Sequence, residues 1–267
     1  MTILNPDNIV PLTIVLHNIA LICYGVAAAV GFLRLFYNRL TLIAILPAIA
    51  GAITQIIQLL LRWQSSGHLP VMGLFETQHF LALWVVLALL YFQFRYSIGR
   101  LFPVGLLLAT GALVFAGMGP KIIIPLTPAI DTPLFLLHVA ASFAAYGLFA
   151  VGALVGFFTL STKTSPDDIT YSRVLDECLY LGFILFTGCM IAGSLWAYLS
   201  WGSYWTWKIK GLWSYILWFY YGGVIHVRNR NWWRGKPAGI LAIVGFCLVL
   251  FTYLGLGLLF KTSHPLM

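Results

Sequence analysis

The stretch Trp201-Gly-Ser-Tyr-Trp-Thr-Trp207, with Trp213 and Trp218 after it, puts five tryptophans and two tyrosines into eighteen residues. The whole chain has ten tryptophans. An indole combines a broad apolar face with a single N–H donor, which suits the boundary between hydrocarbon and water. It suits the face of a large planar ligand equally well. Scattered tryptophans point to the boundary. The dense spacing of Trp201, Gly202, Tyr204, Trp205 and Trp207, followed by Lys208 and Lys210, points to a platform.

Six histidines and seven acidic residues are the other groups able to do acid–base or metal chemistry. His138 opens the fifth apolar run and His264 follows the eighth. Two neutral imidazoles on the side of the aromatic platform could ligate a haem iron from its two axial positions; they could equally hydrogen-bond water or a carbonyl. His226 ends the seventh apolar run in Gly-Gly-Val-Ile-His226-Val-Arg228. An ionisable group inside a membrane is costly and is a functional candidate by default, and the two glycines would admit a helix or flat ligand beside it. His17 and His79 lie within apolar runs, where hydrogen bonding in a core or cavity is the expectation, and His68 reads as a loop-shaping residue. No Ser/His/Asp order, carboxylate pair or phosphate-binding glycine loop stands out. Four cysteines (Cys23, Cys178, Cys189, Cys247) show no C-x-x-C spacing, so they support neither a disulfide framework nor a zinc site. The chain also lacks the C-x-x-C-H of a c-type cytochrome.

The elements that position these groups are membrane helices. With 61% hydrophobic and 8% charged residues, the composition departs from that of soluble domains. Its apolar runs approach the roughly 20 residues needed to cross a bilayer. The expectation is an all-α, polytopic integral membrane protein with about eight spans, near 10–33, 41–61, 77–94, 101–117, 134–160, 179–200, 212–227 and 237–260, in one transmembrane domain over 1–267. Segment 161–178 reads as a solvated linker. No basic residue precedes Arg34, so the first run is expected to remain as an anchor and not as a cleaved signal.

Alternating the connections puts ten basic residues on one side (Arg34, Arg39, Arg95, Arg100, Lys163, Arg173, Arg228, Arg230, Arg234, Lys236) and five on the other (Arg62, Lys121, Lys208, Lys210, Lys261). The positive-inside bias then makes the first set cytoplasmic and both termini and the Trp-rich loop 201–218 external. The net charge of +8 needs no nucleic acid; anionic lipid and this bias account for it.

At W-G-S-Y-W-T-W the chain resembles the haem-handling membrane family with the WWD motif, and more narrowly the CcsA (ResC) type of system II cytochrome c biogenesis protein. Arg62-Trp-x-x-Ser-Gly-His68-x-Pro-x-x-Gly-Leu-Phe-Glu76 is similar to the family's segment before its third helix. Leu126-Thr-Pro-Ala-Ile with Leu137-His138-Val is similar to the segment holding its first external haem histidine. His226-x-Arg228, Trp233-Arg-Gly-Lys236 and Leu250-Phe-Thr-Tyr253-x-Gly255 follow its last two helices, and His264 falls where its second external histidine belongs.

That resemblance implies a membrane subunit of a holocytochrome-c synthase, a haem lyase. It would deliver haem b, as transported substrate, to the external face and position it for thioether attachment to apocytochrome c. Haem would sit between His138 and His264 against Trp201, Gly202, Tyr204, Trp205, Trp207 and Trp213, while His226 would be a ligand within the membrane. A CcsB/ResB-type membrane partner would supply the large external domain. The location would be the bacterial cytoplasmic membrane, or the thylakoid in a plastid. Where the family carries Asp after the motif and Glu three residues on, this chain has Lys208 and Gly211. Lys208 and Lys210 could pair with haem propionates or stand as solvated charges. HemX-type relatives, which are haem-binding assembly or regulatory proteins without lyase activity, also lack parts of the motif and form the alternative reading.

Overall fold

The structure, a computed structural model, describes residues 6–34, 41–123, 130–161, 168–228, 230 and 233–259. Among these the chain is all helical. The order is α1 (Pro6–Arg34), α2 (Thr41–Ser66), α3 (Leu74–Tyr96), α4 (Leu101–Met118), α5 (Pro133–Ser161), α6 (Asp168–Trp201), α7 (Ile209–Arg228) and α8 (Lys236–Leu250). From α8 the chain runs on through a π-helical turn, Phe251–Gly255, and a last α-turn, Leu256–Leu259. In hydrocarbon only a backbone that satisfies its own hydrogen bonds is tolerated, which is why apolar runs of this length become helices.

Seven of these helices are long and apolar enough to cross a membrane; α7 is not among them. The 20 residues of α7 include Lys210, Ser214, His226, Arg228, three glycines and six aromatic residues, so its apolar character is diluted where its interfacial character is raised. A second difference concerns 161–178. The expected linker is helical from Asp168 onward, because Tyr171, Val174, Leu175 and Cys178 bury one face. Asp176 on the same segment pairs with Arg228 of α7.

The chain divides into two compact units, Met1–Thr127 and Pro128–Leu266. In the first, α1 packs on α2 and α4, and α3 packs on α2 and α4. Gly51 admits the Tyr24 ring at a distance no side chain would allow: a Cβ there would lie 2.6 Å from Cε1. In the second unit α5 lies between α6 and α8, with α7 against α6 and α8. The α5–α8 crossing is backbone on backbone, since a Cβ on Gly156 would sit 2.5 Å from the Gly239 carbonyl oxygen. Small residues give membrane helices this close approach in the absence of a hydrophobic drive between them.

Unit one also holds a buried polar network. Tyr24 donates to Gln55 Oε1 at 2.6 Å, and Gln55 Nε2 donates to the His79 carbonyl at 2.8 Å. The His79 ring donates from Nδ1 to the Phe75 carbonyl, so its Nε2 must accept, and it does so from His17 Nδ1 at 3.1 Å. Hydrogen bonding in the core is thus the role of His17 and His79, as their apolar setting implied. Beside them Arg62, with 0% exposure, forms an ion pair with Glu76 at 2.8 Å. Its guanidinium also donates to the Lys121 and Ile122 carbonyls, at 3.1 and 3.3 Å. Glu76 Oε2 in turn accepts from the Met72 and Gly73 amides at the start of α3, satisfying donors that a helix N-terminus leaves open. His68 is buried in the preceding turn, where Ser66 Oγ donates to its carbonyl at 2.6 Å.

Candidate functional site

Within the second unit the antiparallel run of α5, α6 and α7 decides which candidates meet. Phe135 packs on Trp196 near one end of the α5–α6 pair, and Phe158 packs on Tyr171 near the other. Going up α7, Trp218 Nε1 donates to Thr187 Oγ1 and Arg228 reaches Asp176 and Ser172, so α7 descends along α6. His138 therefore shares an end with the Trp-rich loop, and His226 lies at the opposite end. His264 lies outside the described residues.

His138 sits one turn into α5 and faces α6. Its Nδ1 is 2.9 Å from the Cys189 carbonyl oxygen and 3.3 Å from Cys189 Sγ. Only an N–H can bridge to a carbonyl, so in the neutral imidazole the proton is on Nδ1 and the lone pair is on Nε2. Metal-ligating histidines have this arrangement, with the outer nitrogen tied to a carbonyl or carboxylate and the other free for the metal. The Trp196 ring stacks beside the imidazole, 6.5 Å between centroids and 21° between planes. Trp196 in turn meets Trp201 edge-on at 4.7 Å.

The loop after α6 begins at Gly202, whose φ of 71° lets the chain leave the helix in the left-handed region while its amide still donates to the Tyr198 carbonyl at 2.8 Å. Ser203 Oγ donates to the Trp205 carbonyl at 2.6 Å and shapes the next turn. Tyr204 stacks flat on Tyr198, 4.3 Å apart at 7°. Trp205 is held edge-on by Trp207 at 5.5 Å and by Tyr215 at 4.3 Å. Trp213 meets Phe251 of the π-helical turn at 4.6 Å. Trp207 projects with 84% exposure, and Tyr204 and Trp201 are also exposed. Of the expected loop 201–218 only 202–208 is loop, because α7 begins at Ile209 and carries Trp213 and Trp218; together they form a buttressed aromatic surface with exposed faces.

The two lysines differ. Lys208 Nζ lies 4.4 Å from the centroid of the Trp201 ring, a cation–π contact that ties it to the aromatic cluster. Lys210 is half-buried in the first turn of α7, and burial holds its ammonium below the ordinary lysine value. Gly211, at the family's acidic position, lies under Trp205; a Cβ there would be 3.3 Å from the Thr206 carbonyl and 3.5 Å from the indole.

His226 is exposed on α7, with Gly223 and Phe219 exposed on the same face one and two turns earlier. Two residues on, Arg228 turns inward to Asp176 at 2.5 Å and Ser172 at 2.8 Å, which fixes the rotation of this helix end and keeps His226 outward.

Among the described residues no three His, Cys, Asp or Glu side chains converge on a point. Sequence reasoning did not single out Cys189, Gly193 and Trp196, which surround His138. Their spacing of four and three residues puts them on one face of α6, a signal that gains meaning only once His138 is known to face them.

The chain matches the family model described as cytochrome C assembly protein over residues 8–264. It is 29% identical to the cytochrome c biogenesis protein CcsA of Gloeobacter violaceus (strain ATCC 29082 / PCC 7421), with 98% of each chain covered. It is also 29% identical to that of Prochlorococcus marinus (strain MIT 9312), over 76% of this chain and 77% of the relative. Its identity to the protein of that name from Prochlorococcus marinus (strain NATL2A) is 30%, over 78% and 79%.

Proposed function

The chain belongs to the cytochrome c assembly protein family, and we propose that within it the protein is the haem-presenting membrane subunit of a cytochrome c synthase. It is an integral membrane protein of cytochrome c assembly. The observation that carries the finer reading is His138: its Nδ1 lies 2.9 Å from the Cys189 carbonyl oxygen, which leaves Nε2 for a ligand, and indoles lead from it to the Trp-rich loop.

In this reading haem b is the substrate. His138 Nε2 and His264 supply its axial ligands, and Trp201, Gly202, Tyr204, Trp205, Trp207 and Trp213 form the surface against which the macrocycle rests. Lys208 and Lys210 meet the propionates. Each apocytochrome Cys S–H then adds across a vinyl C=C, forming one C–S and one C–H bond with no net oxidation. The chain's own part is to hold the iron, shield one face and leave the vinyl edge open. His226, exposed in the lower half of α7, would ligate haem within the membrane together with a residue of a CcsB/ResB-type partner. The family match and the relatives do not favour the HemX-type alternative.

Deleting the gene in its host and staining membranes for covalently bound haem tests this reading. The c-type cytochromes should lose their haem stain, while cytochromes with non-covalent haem persist. An unaltered stain would reject the lyase role.

The ten-to-five asymmetry of basic residues supports an external Trp-rich loop. A cysteine introduced at Ser203 should react with an impermeant thiol reagent added to intact cells. Reaction only after the inner face is opened would overturn this orientation and the external haem site with it.

A further inference from the structure

We infer that Gly193 is a positioning residue for His138, and that the Cys189 backbone carbonyl is the partner that selects which imidazole nitrogen is offered to a ligand. This rests on the reading of His138 as a haem ligand and adds what sets that ligand's tautomer and direction.

Three residues of α6 enclose the ring. Cys189, Gly193 and Trp196 fall on one helix face, and His138 lies across that face from α5. The Cys189 carbonyl is the acceptor for the residue-193 amide in the α-helical ladder. A carbonyl oxygen has two lone pairs, and His138 Nδ1–H takes the second at 2.9 Å. An imidazole can reach that oxygen only by lying over the backbone of residue 193. There a Cβ would stand 2.6 Å from Nδ1 and 2.9 Å from Cε1, distances that no side chain tolerates. Those atoms belong to the imidazole ring itself, whose swing is limited on the far side by Trp196, itself packed on Phe135. Glycine at 193 is therefore a condition for the His138 Nδ1–H bond, and that bond leaves Nε2 as the nitrogen with the lone pair.

The inference concerns a proton position, so it can be read without haem. In haem-free protein in detergent, imidazole 15N shifts should show His138 protonated at Nδ1 and bare at Nε2. Gly193→Ala should abolish that pattern. In haem-loaded protein the same substitution should lose low-spin bis-imidazole absorption, and added imidazole should restore it by entering the position His138 has left. Simple misfolding would give low protein levels and no rescue by imidazole.

A wild-type His138 protonated at Nε2 would overturn the inference whether or not the variant folds. So would a folded Gly193→Ala protein with unchanged 15N shifts and spectrum. A His138→Ala protein with an unchanged haem spectrum would instead reject His138 as a ligand, while the 15N shifts would still decide whether Gly193 and Cys189 set the tautomer.

Discussion

Cells whose only copy of this protein carries His138→Ala should make c-type cytochromes with at least about tenfold less covalent haem. Even losing an outer hydrogen-bond partner of a metal-ligating histidine costs roughly 10–100-fold in metal affinity, and here the ligand itself is removed. The purified variant should hold less haem, with altered coordination and a shifted potential, because the axial ligand tunes both. Imidazole added from solution should restore part of the spectrum.

His264→Ala, or loss of residues 264–267, should behave alike if His264 is the second ligand, although that residue lies outside the described residues. Replacing Lys208 and Lys210 with Gln should give a different result: weaker haem retention with unchanged axial ligation, since charge-assisted contacts to propionates hold the ring's edge and not its iron. His17→Ala should leave the spectrum per bound haem as it was, because His17 spends its Nδ1–H on His79 inside unit one. A His138→Ala protein present at normal levels, with an unchanged spectrum and full cytochrome maturation, would exclude the proposed ligand.

The second large effect is on stability. Breaking the Arg62–Glu76 pair should destabilise the protein by about 3–5 kcal/mol, the usual cost of leaving one partner of a buried ion pair alone. Both side chains are almost fully buried, at 1% and 3% exposure. Glu76→Ala would also remove the acceptor for the Met72 and Gly73 amides, and Arg62→Met would leave the Lys121 and Ile122 carbonyls without their donor. At roughly 2–4 °C per kcal/mol for a domain of this size, the apparent melting temperature in detergent should fall by about 6–20 °C. The double variant Arg62→Met/Glu76→Ala should melt well above the value that adding the two single losses would give, because both remove the same interaction. Single variants that melt within a degree or two of the wild type would show that the pair contributes little.

Of the two regions these predictions address, the sequence marked one far more clearly than the other. Trp201–Trp207 is legible as a dense aromatic stretch from residue type and spacing, whereas His138 stands out only through its position at the start of a run and through the family resemblance. His17, His79, Arg62 and Glu76 were visible as polar residues in or beside apolar runs, yet nothing local shows which of them pair. The four come from three helices, and the bonds His17–His79 and Arg62–Glu76 exist only after α1, α2 and α3 pack. The limits of α6 failed for a related reason. Residues 168–178 look like solvated linker until Tyr171, Val174 and Leu175 are seen buried and Asp176 is seen paired with Arg228.

Taken alone, then, the sequence determined the membrane-helical class, the helix order and the aromatic loop. These follow from run length, residue type and near-neighbour spacing, which are properties of contiguous chain. Only the tertiary structure decided that Gly193 and Cys189 sit under His138, that Nδ1 of that ring faces the Cys189 carbonyl, and that Trp196 stacks beside it. Each of these depends on the register between antiparallel helices. That register is set by where backbones can close on small residues such as Gly156 and Gly239 and where a ring can lie over one such as Gly193, and a local pattern carries no record of what will lie opposite.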